Sequence, residues 1–134
     1  MKTPAIVINF KAYEHVNGNE GHRLARICQE VAEDTGASIV LCPQMTMLAS
    51  TAALVDIPVM AQSADAKTPG SATGWTTLEA VKGCGAAGTL VNHSEHRMKL
   101  ADIEYLVSRA KMLGLETIVC TNNVVTSAAA AAAG

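Results

Sequence analysis

The sequence predicts an α/β protein built from parallel βα repeats, and three observations lead to that prediction. Five short apolar runs alternate with segments of helical periodicity along the 134 residues. Aromatic residues make up only 3% of the chain, whereas alanine, valine and isoleucine are plentiful. Small and β-branched side chains suit parallel strands that are buried beneath helices on both faces. The runs recur about every 28 residues, a spacing that fits one strand and one returning helix.

Five strands are predicted from continuous apolar runs, at 5–10, 38–42, 58–62, 88–92 and 117–120. The run at 5–10 does not alternate with polar residues, so it is predicted to be fully buried. Pro43 ends the second strand, and the third is the shortest of the five. Because a helical segment follows each run, neighbouring strands are expected to lie parallel.

Helices are predicted between and after these strands, from a turn at 18–21 to residue 35 and over 45–52, 76–83, 103–113 and 127–133. Gly36 and Gly114 follow two of them directly, and glycine is the preferred residue just past a helix end. The segment 63–75 is a long loop that carries Trp75, the one tryptophan of the chain. Loops of this length are often functional.

Two architectures fit this repeat. One is an open, five-stranded, doubly wound sheet, and the other is a (β/α)₈ barrel of which five units are present. Eight such units need roughly 225 residues, near the ~250 that are typical of that barrel. Both architectures bind ligands at the carboxyl ends of the strands.

Composition argues against several classes of partner and compartment. The net charge of −2 provides no basic field for nucleic acid or for an anionic membrane. No apolar run approaches the ~20 residues of a membrane span, and the apolar region at the N-terminus is too short for a signal peptide. The four cysteines, Cys28, Cys42, Cys84 and Cys120, form no CxxC pair. We interpret them as reduced thiols, which predicts a cytoplasmic protein.

The stretch 91–97 is the strongest candidate for a site. It closes the fourth strand with His93, Ser94 and Glu95, and a buried strand that ends in ionisable groups indicates binding. A structural alternative is a helix N-terminus in which Ser94 caps the helix and Glu95 interacts with its dipole.

A second polar group closes the first strand. Asn9 and Lys11 are two residues apart, so both point to the same side of the strand. Lys11 is either a surface residue or an anion ligand. Together with His93 and Glu95 it suits a small anionic substrate, since lysine supplies positive charge and histidine can donate or accept a proton. Glu95 could pair with Lys11.

The residues of this site do not favour nucleophilic or metal chemistry. Ser94 is a poor candidate for a nucleophile, because sequence neighbours such as His93 rarely face each other productively. His93 and His96 alone make a poor metal site, which usually needs more converging ligands. We therefore predict no metal at this site.

These motifs resemble the triosephosphate isomerase family. The matching residues are Asn9-Phe10-Lys11 and Asn92-His93-Ser94-Glu95-His96-Arg97, and Asn92 together with Cys120-Thr121-Asn122-Asn123 resembles its archaeal branch. The spacing of 1–133 matches the first five βα units of that family. The resemblance implies a single partial domain over 1–134, the N-terminal portion of a TIM barrel.

The resemblance also implies an activity without a cofactor. Dihydroxyacetone phosphate and D-glyceraldehyde 3-phosphate would interconvert through an enediolate, a step of glycolysis and gluconeogenesis. Asn9 and Lys11 would bind the substrate, and Lys11 would stabilise its phosphate and the developing enediolate charge. His93 would be the electrophile, a neutral imidazole disfavoured as imidazolium by a following helix N-terminus, a known property of this family that we adopt from it. Glu95 would pair with Lys11 and assist proton transfer.

The family's general base is a glutamate after strand six, and its lid and phosphate-binding loops also follow strand five. We therefore expect the 134 residues to be inactive alone. The family resemblance further implies a homo-oligomer, a dimer or tetramer. One alternative is a non-catalytic half-barrel scaffold, or a phosphate-binding fragment, that self-associates. Another is a flavodoxin-like binding domain, which would need a phosphate loop after strand one or an acidic pocket, and Asn9-Phe10-Lys11 supplies neither.

Overall fold

A computed structural model describes residues 2–132. Its strands and helices alternate as β1 (Ile6–Asn9), α1 (Gly18–Thr35), β2 (Ile39–Cys42), α2 (Leu48–Ala52), β3 (Met60–Ala61), α3 (Leu78–Gly83), β4 (Gly88–Val91), α4 (Leu100–Leu113), β5 (Glu116–Val119) and α5 (Val124–Ala132). Short 3₁₀ turns precede α1 and α2, at Glu14–Val16 and Met45–Met47. The predicted βα repeat is confirmed. None of the described helices is both long enough and apolar enough to cross a membrane.

The order of the strands in space follows their order in the chain. β1 pairs with β2 in parallel, and β3, β4 and β5 form a second parallel sheet in that order. A single bridge between Leu41 and Val59 joins the two sheets, and the Leu41 N–H donates to the Pro58 carbonyl at 3.0 Å. A flavodoxin-like sheet would place β1 between β2 and β3. The observed order therefore excludes that alternative and is the order of a barrel wall.

The core lies between the strands and the helices that cover them. Its most buried large side chains come from both layers: Leu41 from β2, Leu48 from α2, Leu78 from α3 and Leu106 from α4. Met60 of β3 belongs to a separate, smaller cluster with Val40, Cys42 and Leu90. In α1 the buried residues Gly21, Ala25 and Cys28 recur at helical spacing, so one stripe of that helix faces the core. This packing fixes all five strands with their carboxyl ends at one face of the layer.

Strand β1 is more exposed than predicted. Ile6 retains 57% and Val7 39% of its accessible surface, although the sequence predicted a fully buried strand. The reason is positional, because β1 has β2 as its only paired neighbour in the described chain. An apolar run therefore indicated a strand correctly here, but it did not reveal how many neighbours that strand has.

The predicted helix boundaries are right at the C-termini and less accurate at the N-termini. Gly36 and Gly114 adopt left-handed φ angles of 70° and 72°, as expected after a helix. The predicted turn at 18–21 is instead the first turn of α1, because Gly21 packs against the Val16 carbonyl where a side chain would not fit. α5 begins at Val124, where the Asn123 side chain accepts the Thr126 N–H at 2.8 Å. Its predicted last residue, Ala133, lies outside the described residues.

Candidate active site

The end of β1 turns sharply at Lys11. Its φ angle is +54°, in the left-handed region that lysine rarely occupies. The Lys11 N–H donates to the Asn9 Oδ1 at 2.9 Å, so the Asn9 side chain closes this turn. Asn9 and Lys11, which the sequence predicted to lie on the same side of the strand, are thus joined by a hydrogen bond.

The end of β4 turns at Asn92, whose φ is +59°. Its Nδ2 donates to the Cys120 carbonyl at 2.9 Å, and its Oδ1 accepts the Met98 N–H at 2.9 Å. Its own carbonyl accepts from the Arg97 guanidinium at 3.1 Å. Asparagine tolerates this backbone conformation better than most residues. Asn92 therefore shapes the loop that carries the ionisable groups and ties it to the end of β5.

The His93 ring is held by the loop's own backbone. The Glu95 N–H donates to His93 Nδ1 at 3.2 Å, so that nitrogen acts as an acceptor and the ring proton resides on Nε2. The Glu95 carboxylate lies farther from Nδ1, at 3.7 Å. A neutral imidazole with a donor at Nε2 is the form that can give a hydrogen bond to a ligand oxygen.

Two expectations about this loop are wrong. No helix begins at His93 or Ser94, because α4 starts only at Leu100. Ser94 consequently does not cap a helix, and the dipole of α4 begins a full loop away from the imidazole. The Glu95 backbone N–H, rather than a helix terminus, is the group that contacts His93 Nδ1.

Lys11 and Glu95 form an ion pair across the ends of β1 and β4. The Lys11 Nζ donates to Glu95 Oε1 at 2.8 Å, with side chains 37% and 60% exposed. The hydrogen bond with Glu95, reinforced by its charge, raises the pKa of Lys11 above its ordinary value. The same hydrogen bond lowers the pKa of Glu95, and the charge of Lys11 adds to that lowering. Both groups are therefore charged at neutral pH.

Gln62 is a site residue that the sequence analysis missed. It directly follows β3, and its Nε2 lies 3.1 Å from Asn9 Oδ1, 3.0 Å from the Lys11 carbonyl and 3.0 Å from the Cys42 carbonyl. Its position offered a signal, because the predicted third strand ended at this residue, as the first ended beside Lys11.

These residues enclose a cavity of about 160 Å³. It is lined by Asn9, Lys11, Ala12, Gln62, Ser63, His93, Glu95 and His96. The structure thus brings Asn9, Lys11, His93 and Glu95, all selected from the sequence, to one place. Glu95 is the only carboxylate among the described residues that line it, and Lys11 already occupies one of its oxygens. The arrangement can bind a small anion and donate a hydrogen bond to it.

A larger cavity of about 410 Å³ lies beside the first, between the loop 63–75 and the loop before α4. Lys67, Trp75, Arg97 and Asp102 are among its lining residues. The Lys67 Nζ sits 4.7 Å from the centre of the Trp75 ring. Apart from His96, this cavity shares no lining residue with the smaller one. The larger of the two cavities is therefore not the one that holds the charged cluster at the strand ends.

Cys42 lies at the end of β2, beneath Gln62. Burial raises the pKa of its thiol to about 12, and the neighbouring Cys120 contributes to the shift. Cys42 is therefore an uncharged thiol at neutral pH, and its carbonyl, rather than its sulfur, takes part in the site. Within residues 2–132, no group of three or more histidine, cysteine or acidic side chains could hold a metal ion.

Parallel βα units in chain order, with a charged cavity at the carboxyl ends of their strands, define a (β/α)₈-barrel protein of which five units are described. Comparison of the sequence with models of protein families identifies one family within this class. The model described as triosephosphate isomerase matches residues 4–133. The chain belongs to the triosephosphate isomerase family.

The curated relatives indicate the branch. The chain is 49% identical over 132 residues to a triosephosphate isomerase of Caldivirga maquilingensis, with 98% of this chain and 59% of the relative covered. It is 52% identical over 127 residues to that of Methanocaldococcus jannaschii, with 95% and 58% covered. The resemblance to the archaeal branch is confirmed. The chain spans somewhat under two thirds of the length of these relatives.

A solved structure supports the fold. The crystal structure of triosephosphate isomerase from Bartonella henselae superposes with a TM-score of 0.74 at 20% identity, covering 93% of this chain and 54% of that chain. The (β/α)₈ barrel, one of the two architectures that fit the repeat and the one implied by the family resemblance, is therefore the fold to which these units belong.

Proposed function

We propose that this chain supplies the electrophile and the cationic group of a triosephosphate isomerase, which interconverts dihydroxyacetone phosphate and D-glyceraldehyde 3-phosphate. The observation that carries the proposal is the Nδ1 acceptor bond of His93, beside the Lys11–Glu95 pair in one cavity. A neutral imidazole can polarise a carbonyl through Nε2–H without delivering a full proton. An ammonium group nearby stabilises negative charge as it develops on the enediolate.

In this proposal Asn9 and Lys11 bind the substrate, and Lys11 neutralises part of the phosphate charge. Glu95 keeps the Lys11 ammonium in place and assists proton transfer between the substrate oxygens. The general base is not among the described residues that line the cavity, because Glu95 is hydrogen-bonded to Lys11. We propose that the base comes from a segment beyond these units, so that the 134 residues alone do not catalyse the reaction.

The proposal is tested by complementation. The chain is assayed alone and after mixing with the C-terminal segment of the Methanocaldococcus jannaschii relative that lies beyond the region of the match. We expect no isomerisation above the uncatalysed rate for the chain alone, and measurable isomerisation for the mixture. The same relative, split at the equivalent position, is the positive control. A well-folded but inactive mixture, with an active control, would contradict the proposal.

Site variants sharpen this assay. In the complemented enzyme, His93→Gln is expected to lower kcat/KM on the order of 10²- to 10³-fold, because it removes the donor aimed at developing charge. His22→Gln is the matched control. His22 contacts Ser50 between α1 and α2, outside the cavity, so its variant should retain activity within about twofold of the parent enzyme.

A second candidate is the non-catalytic half-barrel that self-associates. The exposure of Ile6 and Val7 on β1 favours it, because an apolar strand edge can pair with another chain. Association without binding of a phosphorylated triose in calorimetric titration would support the scaffold, whereas saturable binding would support the isomerase. A homo-oligomer is part of either proposal. The four cysteines, all of them free, support a reducing compartment such as the cytoplasm.

A further inference from the structure

Gln62 occupies an unusual position between three acceptors. Its Nε2 lies 3.0–3.1 Å from three oxygens: Asn9 Oδ1, the Lys11 carbonyl oxygen and the Cys42 carbonyl oxygen. Only the amide nitrogen can face three acceptors, so the orientation of the amide is fixed by its surroundings. Because that nitrogen carries two hydrogens, at least one of them is shared. A single side chain thus joins the ends of β1, β2 and β3.

The residue that needs this support is Lys11. A non-glycine residue in the left-handed region costs about 1–2 kcal/mol relative to its ordinary conformations. Both backbone polar groups of Lys11 are held in place, the N–H by Asn9 Oδ1 and the carbonyl by Gln62 Nε2. Gln62 also donates to the Asn9 oxygen, so it fixes both restraints at once.

We propose that Gln62 is a positioning residue that holds the Lys11 backbone in its left-handed turn and thereby keeps the Lys11 Nζ beside Glu95. Without the amide, the Lys11 carbonyl loses its partner and the turn can relax. The long lysine side chain then leaves its place 2.8 Å from Glu95 Oε1. The consequence for catalysis rests on the isomerase function proposed above, but the effect on the geometry does not.

The first experiment measures geometry without activity. Carbon-detected NMR follows the Glu95 carboxyl of the full chain as the pH is lowered. Contact with Lys11 keeps the pKa of Glu95 below its ordinary value, so withdrawal of the ammonium should raise the titration midpoint. Gln62→Met has similar length and no charge but cannot donate a hydrogen bond. We expect Gln62→Met to move the midpoint most of the way to that of Lys11→Met.

Two comparisons make this test specific. Adding Gln62→Met to Lys11→Met should shift the midpoint no further, because the proposed effect passes through Lys11. Gln29→Met, on α1, should leave the midpoint unchanged, and His93, which also lies beside Glu95, is present in every variant. A wild-type midpoint in folded Gln62→Met overturns the proposal, as does the absence of a lowered midpoint in the wild-type chain. If Gln62→Met does not fold, Gln62→Asn, whose amide is one carbon too short to reach both carbonyls, replaces it.

The second experiment uses the complemented enzyme. Gln62→Met should lower kcat/KM on the order of 10- to 100-fold, the cost of a displaced catalytic group. The loss should disappear in the Lys11→Met background. If wild-type complementation gives no activity, the proposed function fails while the titration still decides the role of Gln62. If the enzyme is active and Gln62→Met matches it within twofold, the positioning role is wrong.

Discussion

Two non-glycine residues with positive φ, Lys11 and Asn92, follow the strands on either side of the cavity. Such conformations persist only where surrounding bonds determine them, and they concentrate at functional sites. The two residues are stabilised differently. Asn92 uses its own amide to bond the Cys120 carbonyl and the Met98 N–H, whereas Lys11 depends on the side chains of Asn9 and Gln62.

The role of Asn92 predicts an order of stability among its variants. Asn92→Ala loses both side-chain hydrogen bonds and keeps the strained φ, so its free energy of unfolding should fall by about 2–3 kcal/mol. Asn92→Gly loses the same bonds but relaxes the backbone, so it should cost about 1 kcal/mol less than alanine. Urea unfolding measures both, with the exposed Asn19→Ala as control. Equal midpoints for the alanine and glycine variants would mean that the φ angle contributes nothing.

The sequence identified Asn9 and the charged residues of the site, but not Gln62 or the hydrogen bonds that position these residues. Lysine, histidine and glutamate at strand ends are visible as a pattern, because the period of a strand and the face of a sheet follow from local rules. The hydrogen bonds of Gln62 to Asn9, Lys11 and Cys42 join residues of three different βα repeats. Rules that use only the local sequence do not predict contacts between repeats. The Glu95 N–H bond to His93 was missed for another reason, since a backbone hydrogen bond within a loop leaves no pattern in the sequence.

At the level of elements, all five strands and all five main helices were predicted, and the errors concern their ends. β3 is paired over Met60–Ala61 only, although the apolar run covers 58–62. The residue before β3, Val59, makes only an isolated bridge to Leu41 of β2, so the pairing with β2 does not extend the strand. The pattern of apolar residues indicates which residues are buried. It does not indicate how far a neighbouring strand extends to pair with them.

Helices α3 and α4 are joined by an ion pair between Glu79 and Arg109, with Nη2 and Oε1 2.6 Å apart. Burial is the largest single influence and alone would raise the pKa of Glu79. The hydrogen bonds with Arg109, the Glu79 backbone and Thr77, together with the charge of Arg109, outweigh burial and lower it. A lowered pKa in the folded state stabilises the fold above the ordinary pKa of the carboxyl, and this stabilisation is lost as the pH falls through the lowered value.

Glu79→Gln should therefore lower the free energy of unfolding by about 1 kcal/mol at pH 7. The difference from wild type should shrink as the pH falls below the ordinary range of glutamate. Urea unfolding at several pH values measures it, with the exposed Glu30→Gln as the matched control. A difference that stays constant down to acid pH would show that the effect does not come from the charge of Glu79.

Gly88 begins β4 at a point of close strand contact. A Cβ at this position would overlap the Glu116 carbonyl of β5 and would lie 2.6 Å from Met60 Cε. Since backbone cannot move aside cheaply, Gly88→Ala should cost about 3 kcal/mol or more. Gly83→Ala is the control, because no atom lies within 4 Å of its Cβ. It should be neutral or stabilising by up to about 1 kcal/mol. Similar thermal midpoints for the two variants would contradict this difference.

For the whole molecule, the exposed edge of β1 determines how the chain behaves in solution. The edge carries apolar side chains and, among the described residues, no partner strand on the side away from β2. Such edges pair with other chains unless they are covered or charged. We expect the mass of the chain in sedimentation velocity to rise with concentration.

Ile6→Lys should suppress that association, because charge on an edge strand opposes pairing. Met112→Lys, which changes an exposed apolar residue of α4, should leave it unaltered. Addition of the C-terminal segment used for complementation should also suppress it, since that segment would cover the edge. Equal suppression by both lysine variants would instead indicate general apolar attraction.

The agreement between strand order and chain order has a consequence during synthesis. Each strand lies beside the one that left the ribosome just before it, so a nascent chain can extend the barrel wall by one unit at a time. The residues of the site are not completed one unit at a time. Lys11 and Glu95 are 84 residues apart, so the lysine is made long before its ionic partner exists. Gln62 emerges between them, and it is the first group from a later unit that can secure the Lys11 turn while the growing polypeptide awaits its fourth strand.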